Sequence, residues 1–113
     1  IPADSMVRYF IAVAKEIAPL PAFLYNIPSN AKNDVTPSIV QRVVAEAPNV
    51  IGIKDTSKDM DRFEAYISTM GPDFRSIVGA DSLFFPSLTV EFADENIITP
   101  VTRMAAGREI KII

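Results

Sequence analysis

The chain has 113 residues, of which 49% are hydrophobic and 22% charged, the profile of one folded domain rather than of a disordered or fibrous chain. With 11 basic and 14 acidic residues the net charge is −3, and a pI near 4.8 leaves no electrostatic footprint for nucleic acid or an anionic membrane. Cysteine and histidine are both absent, which excludes disulfides, thiol nucleophiles, cysteine metal centres and the commonest general base. Any catalysis must therefore rest on Lys, Tyr, Asp, Glu, Ser or Thr.

No apolar run approaches the ~20 residues that span a bilayer. The first residues, IPADSM, have neither an initiating methionine nor the charged-then-apolar layout of a signal peptide. The chain is expected to be an interior piece of a longer cytoplasmic protein.

From Asp4 to Ala18, Met6, Tyr9, Phe10, Val13 and Ile17 recur at helical spacing, with Asp4 or Ser5 as cap, until Pro19 and Pro21 end the segment. Ala22 to Tyr25 (AFLY) predicts a short buried strand, and the following NIPSN a turn. Thr36 before Pro37 is an N-cap hydroxyl followed by proline at the first helical position; Ile39, Val40, Val43, Val44 and Ala47 form the apolar face, and Pro48 and Asn49 stop it.

Val50 to Lys54 predicts the next strand. Ser57 or Asp59 then caps a helix with Met60, Phe63, Ile67 and Met70 on one face, closed by Gly71 and Pro72. Phe74 to Val78 is a further strand meeting Gly79; DSLFFPSL suggests a short helix, and Asn96 to Thr99 a last strand. Helices of this length between uniformly apolar strands require parallel pairing, an α/β architecture with the strands covered on both faces.

In such folds ligands bind beyond the carboxyl ends of the strands. Tyr25 and Lys54 each end a strand and lie 54 minus 25, or 29, positions apart, one strand-helix-strand unit, so on neighbouring strands they emerge side by side. Gly79 and Asp81 follow the next strand at the corresponding place. A lysine held at a buried strand end is partly desolvated, which disfavours the ammonium form and frees an amine to attack a carbonyl carbon; a neighbouring tyrosine can move the protons that the resulting Schiff base requires. On the residues alone a second reading stands beside this one. Lys54 is then a solvated residue where the chain surfaces, Tyr25 a core aromatic with its hydroxyl at the edge, Asp55, Asp59 and Asp61 helix-start charges, and Asp81 a cap.

Two motifs resemble the dihydrodipicolinate synthase and N-acetylneuraminate lyase family of (β/α)8-barrel aldolases: LYNIPSNAKNDVTP, Leu24 to Pro37, and NVIGIKDTSKDMDRF, Asn49 to Phe63. SIVGADSLFFPSL, Ser76 to Leu88, is a weaker third match. The resemblance implies a partial TIM barrel, about its fifth to eighth strands, as a single domain over 1–113, with 91–113 departing from the family pattern. It implies that Lys54 forms an imine with a 2-oxo acid such as pyruvate, that Tyr25 relays protons, and that Gly79, Asp81, Asn30 and Thr56 line the substrate site. No cofactor and no metal are implied, because the imine is the electron sink. The implied partners are pyruvate and an aldehyde, and the implied assembly a homo-oligomer.

Members that condense pyruvate with aspartate semialdehyde typically carry arginine two residues after the YN-x-P core, where this chain has Ser29 and then Asn30. With that difference and GIKDTS the chain looks closer to the 2-keto-3-deoxy sugar acid aldolases and lyases, which implies cleavage into pyruvate and an aldehyde, although Lys32 offers a substitute for the missing cation. A synthase-type condensation is the alternative, and a catalytically silent half-barrel with two open strand edges is another. A full barrel takes about 250 residues.

Overall fold

The computed structural model describes residues 1–79 and 111–113. The expected short helix at DSLFFPSL, the strand at Asn96 to Thr99, and Asp81 lie outside them.

Helix α1 (Ala3–Ile17) starts directly after Pro2, with no side-chain cap. The expected caps are used elsewhere: Asp4 pairs with Arg42 at 2.7 Å, and Ser5 accepts from Arg8. The Pro2 carbonyl instead accepts from the amides of Ser5 and Met6, so the first turn closes on backbone alone. The buried stripe is Val7, Phe10 and Ala14, rotated from the expected one, and Tyr9 is 63% exposed. Strand β1 (Ala22–Asn26) runs one residue beyond the expected end, and the predicted turn contains a single helical turn, α2 (Pro28–Ala31), which Pro28 starts and Lys32 closes in the left-handed region.

Helix α3 (Pro37–Glu46) is capped as its sequence predicts, the Thr36 hydroxyl accepting from the Ile39 amide at 3.3 Å. Strand β2 (Val50–Asp55) extends to Asp55, and Asp59 rather than Ser57 caps α4 (Met60–Met70). Within α4 the fully buried residues are Phe63 and Tyr66; Tyr66 lies outside the stripe expected from spacing. Gly71, at φ +78°, ends the helix where a side chain would be strained. Strand β3 (Arg75–Val78) opens with the buried pair Arg75 and Ser76, so the strands are not uniformly apolar.

The four strands, with β4 (Lys111–Ile112), form one parallel sheet in the order β3-β2-β1-β4. Strand β4 covers the side of β1 away from β2: the Tyr25 amide donates to the Ile113 carbonyl at 2.8 Å and the Ile113 amide to the Phe23 carbonyl at 2.6 Å. Helix α1 lies against α3 and α3 against α4, and Phe10, Leu24, Ile39, Val40, Ile53 and Tyr66 belong to the shared core between sheet and helices. Because successive strand residues alternate faces, Leu24 and Ile53 point into that core while Phe23, Tyr25, Gly52 and Lys54 take the other face. Among the described residues no helix is long and apolar enough to cross a membrane.

Candidate active site

Tyr25 and Lys54 are direct register partners on β1 and β2, each the penultimate residue of its strand. The Lys54 Nζ stands 4.6 Å from the centroid of the Tyr25 ring, a cation–π contact worth about 0.5–2 kcal/mol in general. One step earlier on the same face, Phe23 pairs with Gly52, and a Cβ on Gly52 would meet the Phe23 ring at 2.7 Å and the Arg75 carbonyl at 2.5 Å. The missing side chain at Gly52 is thus what gives the Phe23 ring its place beneath the Tyr25 and Lys54 pair.

Gly79 follows β3 and its amide donates to the Asp55 carbonyl at 2.8 Å. A Cβ there would sit 2.1 Å from the Thr56 methyl and 3.3 Å from Lys54 Cε, so the backbone at Gly79 brushes the lysine's stem. Thr56 is tied down: its hydroxyl and its amide both donate to the Asn26 carbonyl, at 2.7 and 2.9 Å. Asn30 lies in α2, beyond the end of β1. Lys32 is exposed at the close of that helix. The structure therefore brings Tyr25, Lys54, Thr56 and Gly79 together at one rim of the sheet.

Behind that rim lies a polar cluster that spacing alone did not expose. Asn26 is fully buried and Asp55 is 5% exposed, and neither serves the role the sequence suggested. Asn26 is the last residue of β1 instead of a turn residue. Asp55 is a strand residue buried among donors, not a helix-start charge. Asn26 Nδ2 donates to Asp55 Oδ1 at 2.9 Å and to Asp34 Oδ1 at 3.2 Å, with the Tyr66 oxygen at 3.4 Å, and Asn26 Oδ1 accepts from the Val35 amide at 3.0 Å. Ser57 donates its hydroxyl to Asp55 Oδ2 at 2.7 Å. Tyr66 donates to the Val35 carbonyl. The signal available in the sequence was the alternation itself: the residue after Tyr25 and the residue after Lys54 must face the helices, and in both strands it is polar.

Arg62 grips Asp34 with two parallel bonds, 2.6 and 2.8 Å, and holds its carboxyl below the usual carboxylate range; the same bond raises the arginine's affinity for its proton. Burial pushes the Tyr66 phenol up to about 12.

An apolar cavity of about 410 Å³ flanks Tyr25 on the α1 side, lined by Ile1, Met6, Tyr9, Phe10 and Ile113 among others. Lys54 is not part of its wall, so the cavity and the lysine rim are separate features that share the tyrosine.

The Dihydrodipicolinate synthetase family matches residues 1–112. The 4-hydroxy-tetrahydrodipicolinate synthase of Heliobacterium modesticaldum is 34% identical over 110 residues, 97% of this chain and 35% of that protein. Among solved structures, the 4-hydroxy-tetrahydrodipicolinate synthase of Methylacidiphilum fumariolicum SolV superposes with a TM-score of 0.76 at 32% identity, over 80% of this chain and 30% of that one. A prophage protein of E. coli K12 from the dihydrodipicolinic acid synthase family, solved in complex with pyruvate, gives 0.74 at 27% identity over 99% of this chain and 33% of that one. The chain spans about a third of the length of the curated relatives it matches, and its parallel α/β unit is part of their TIM barrel.

Proposed function

The chain belongs to the dihydrodipicolinate synthetase family, and from that premise we propose that it carries the imine-forming part of a class I aldolase that condenses pyruvate with an aldehyde. The single observation that carries this reading is the direct pairing of Tyr25 with Lys54, ammonium against ring, at the carboxyl ends of two parallel strands. In this scheme the neutral Lys54 amine attacks the ketone carbon of pyruvate and the carbinolamine loses water to give an imine. The iminium then draws electrons from the methyl group, which loses a proton to form an enamine, and the enamine carbon attacks the aldehyde. Water finally releases the product and the free amine. The proton transfers at the carbinolamine and enamine steps are assigned to Tyr25, whose ring lies against the Lys54 ammonium, and the backbone at Gly79 lies against the lysine stem.

The 2-keto-3-deoxy sugar acid cleavage expected from Asn30 has less support than condensation, because curated relatives that the chain matches, that of Heliobacterium modesticaldum among them, are synthases. The aldehyde's own recognition falls to Asn30, Asp81 and the parts of the barrel that the relatives have in addition.

The test is to incubate the folded chain with pyruvate, reduce with borohydride, and map the adduct by peptide mass spectrometry, with Lys54→Ala as control. An adduct at Lys54, absent in the control, is expected. A folded chain that forms no adduct at Lys54 would overturn the reading and leave the silent half-barrel in its place.

A further inference from the structure

We propose that Asn26 and Asp55 form a buried clamp that positions Tyr25 against Lys54. They are themselves register partners, one residue beyond the reacting pair and on the opposite face of the sheet. Strand ends fray where the ladder stops, and the ladder between β1 and β2 stops here. At that point the two strands are joined by three bonds: Asn26 Nδ2 to Asp55 Oδ1 at 2.9 Å, and the Thr56 amide and hydroxyl to the Asn26 carbonyl at 2.9 and 2.7 Å.

The clamp is braced from two further elements. Asp34 and Val35, in the segment before α3, bond the Asn26 side-chain amide, and the Tyr66 oxygen of α4 lies 3.4 Å from its Nδ2. Arg62, also of α4, fixes Asp34 in turn.

Stability alone does not account for this arrangement. A buried polar cluster costs desolvation that a pair of aliphatic side chains would avoid, and replacing such clusters by apolar residues is often neutral or stabilising. What directional bonds add is a fixed lateral spacing, since an aliphatic pair slides and a bonded amide and carboxylate do not. The side chains one residue back inherit that spacing, and a misplacement of about 1 Å at reacting groups can cost ~100-fold in rate.

The effect of the clamp on catalysis rests on the imine reading; its effect on geometry does not. Asn26→Asp keeps the shape of the side chain and turns its donor into a carboxylate facing Asp34 and Asp55. Asp55→Asn also keeps shape, but leaves one acceptor oxygen where Asn26 and Ser57 now use two. Two readouts are taken on the full chain: the NMR shifts of the Lys54 ε-methylene, which the Tyr25 ring displaces, and the rate of borohydride trapping against pyruvate concentration.

In folded Asn26→Asp the Lys54 signals are expected to move to those of a free lysine. The maximal trapping rate is expected to fall tenfold or more, on the order that misplacement predicts, with half-saturating pyruvate little changed. The double variant Asn26→Asp/Asp55→Asn, with donor and acceptor exchanged across the same gap, is expected to recover both in part, since the carboxylate at 26 still faces Asp34. Should Asn26→Asp fail to fold, Asp55→Asn decides by the same signals, with a smaller displacement. Unmoved Lys54 signals in whichever of these variants folds overturn the clamp. If the unsubstituted chain gives no adduct, the imine reading fails on its own, and the NMR comparison still decides the clamp.

Discussion

Gly52 and Tyr66 show how single residues set the conditions around the rim. A Cβ at Gly52 would lie 2.5 Å from the Arg75 carbonyl, a backbone atom that cannot swing away, so Gly52→Ala is expected to destabilise the chain by about 1–3 kcal/mol, read as a lowered urea midpoint. Tyr66→Phe withdraws the donor from the Val35 carbonyl and is expected to cost about 1–3 kcal/mol in the same assay. The tyrosine also makes stability depend on alkaline pH. Its folded value, pushed up to about 12, exceeds the ordinary 10.0 because burial opposes the phenolate. Its contribution is therefore complete below about pH 10 and is lost as pH rises through 12. The urea midpoint of the parent chain should fall across that window, and Tyr66→Phe should lack this part of the decline. Asp34 works at the other end with the opposite sign. Its value is lowered by Arg62, so its contribution is present above the ordinary value of 3.8 and lost as pH falls below it; Asp34→Asn should flatten the acid limb of the stability curve.

At the level of elements, caps and alternation explain most of what the rim needs. Helix α3 begins where Thr36 and Pro37 dictate, and Thr36→Ala should cost about 0.5–2 kcal/mol, measured by thermal or urea unfolding, because the Ile39 amide loses its acceptor. Strands β1 and β2 each carry one residue of the Tyr25 and Lys54 pair on the face away from the helices and one buried polar residue, Asn26 or Asp55, on the helix face. Lys54 after Val50, Ile51, Gly52 and Ile53 thus marks a change of role along the strand. The apolar part anchors β2 in the core, and its last two residues serve the rim and the clamp.

For the whole molecule the arrangement of strands matters most. Strand β4 covers the edge of β1, and the residue that follows it, Ile113, supplies the acceptor for the Tyr25 amide. A chain lacking residues 111–113 is expected to lose hydrogen-exchange protection at the Tyr25 amide and to self-associate, visible by sedimentation, because an unpaired edge is a template for another strand. Retained protection in the shortened chain would mean that β4 is not what closes that edge.

The sequence by itself determined the parallel α/β plan, the α3 cap, the C-terminal end of α4 and the 29-residue spacing that made Tyr25 and Lys54 neighbours, since each follows from local propensity or from the length of one crossover unit. It also carried the family, because the segments around YNIP and GIKDTS resemble the family's motifs. Only the tertiary structure decided that Asn26 and Asp55 face each other, that Tyr66 joins them from α4, that the α1 stripe turns to Val7, Phe10 and Ala14, and that β4 returns to β1. Those outcomes depend on which faces meet and on contacts between residues as far apart as Phe23 and Ile113, 113 minus 23, or 90, positions, for which no local pattern in the chain encodes a partner.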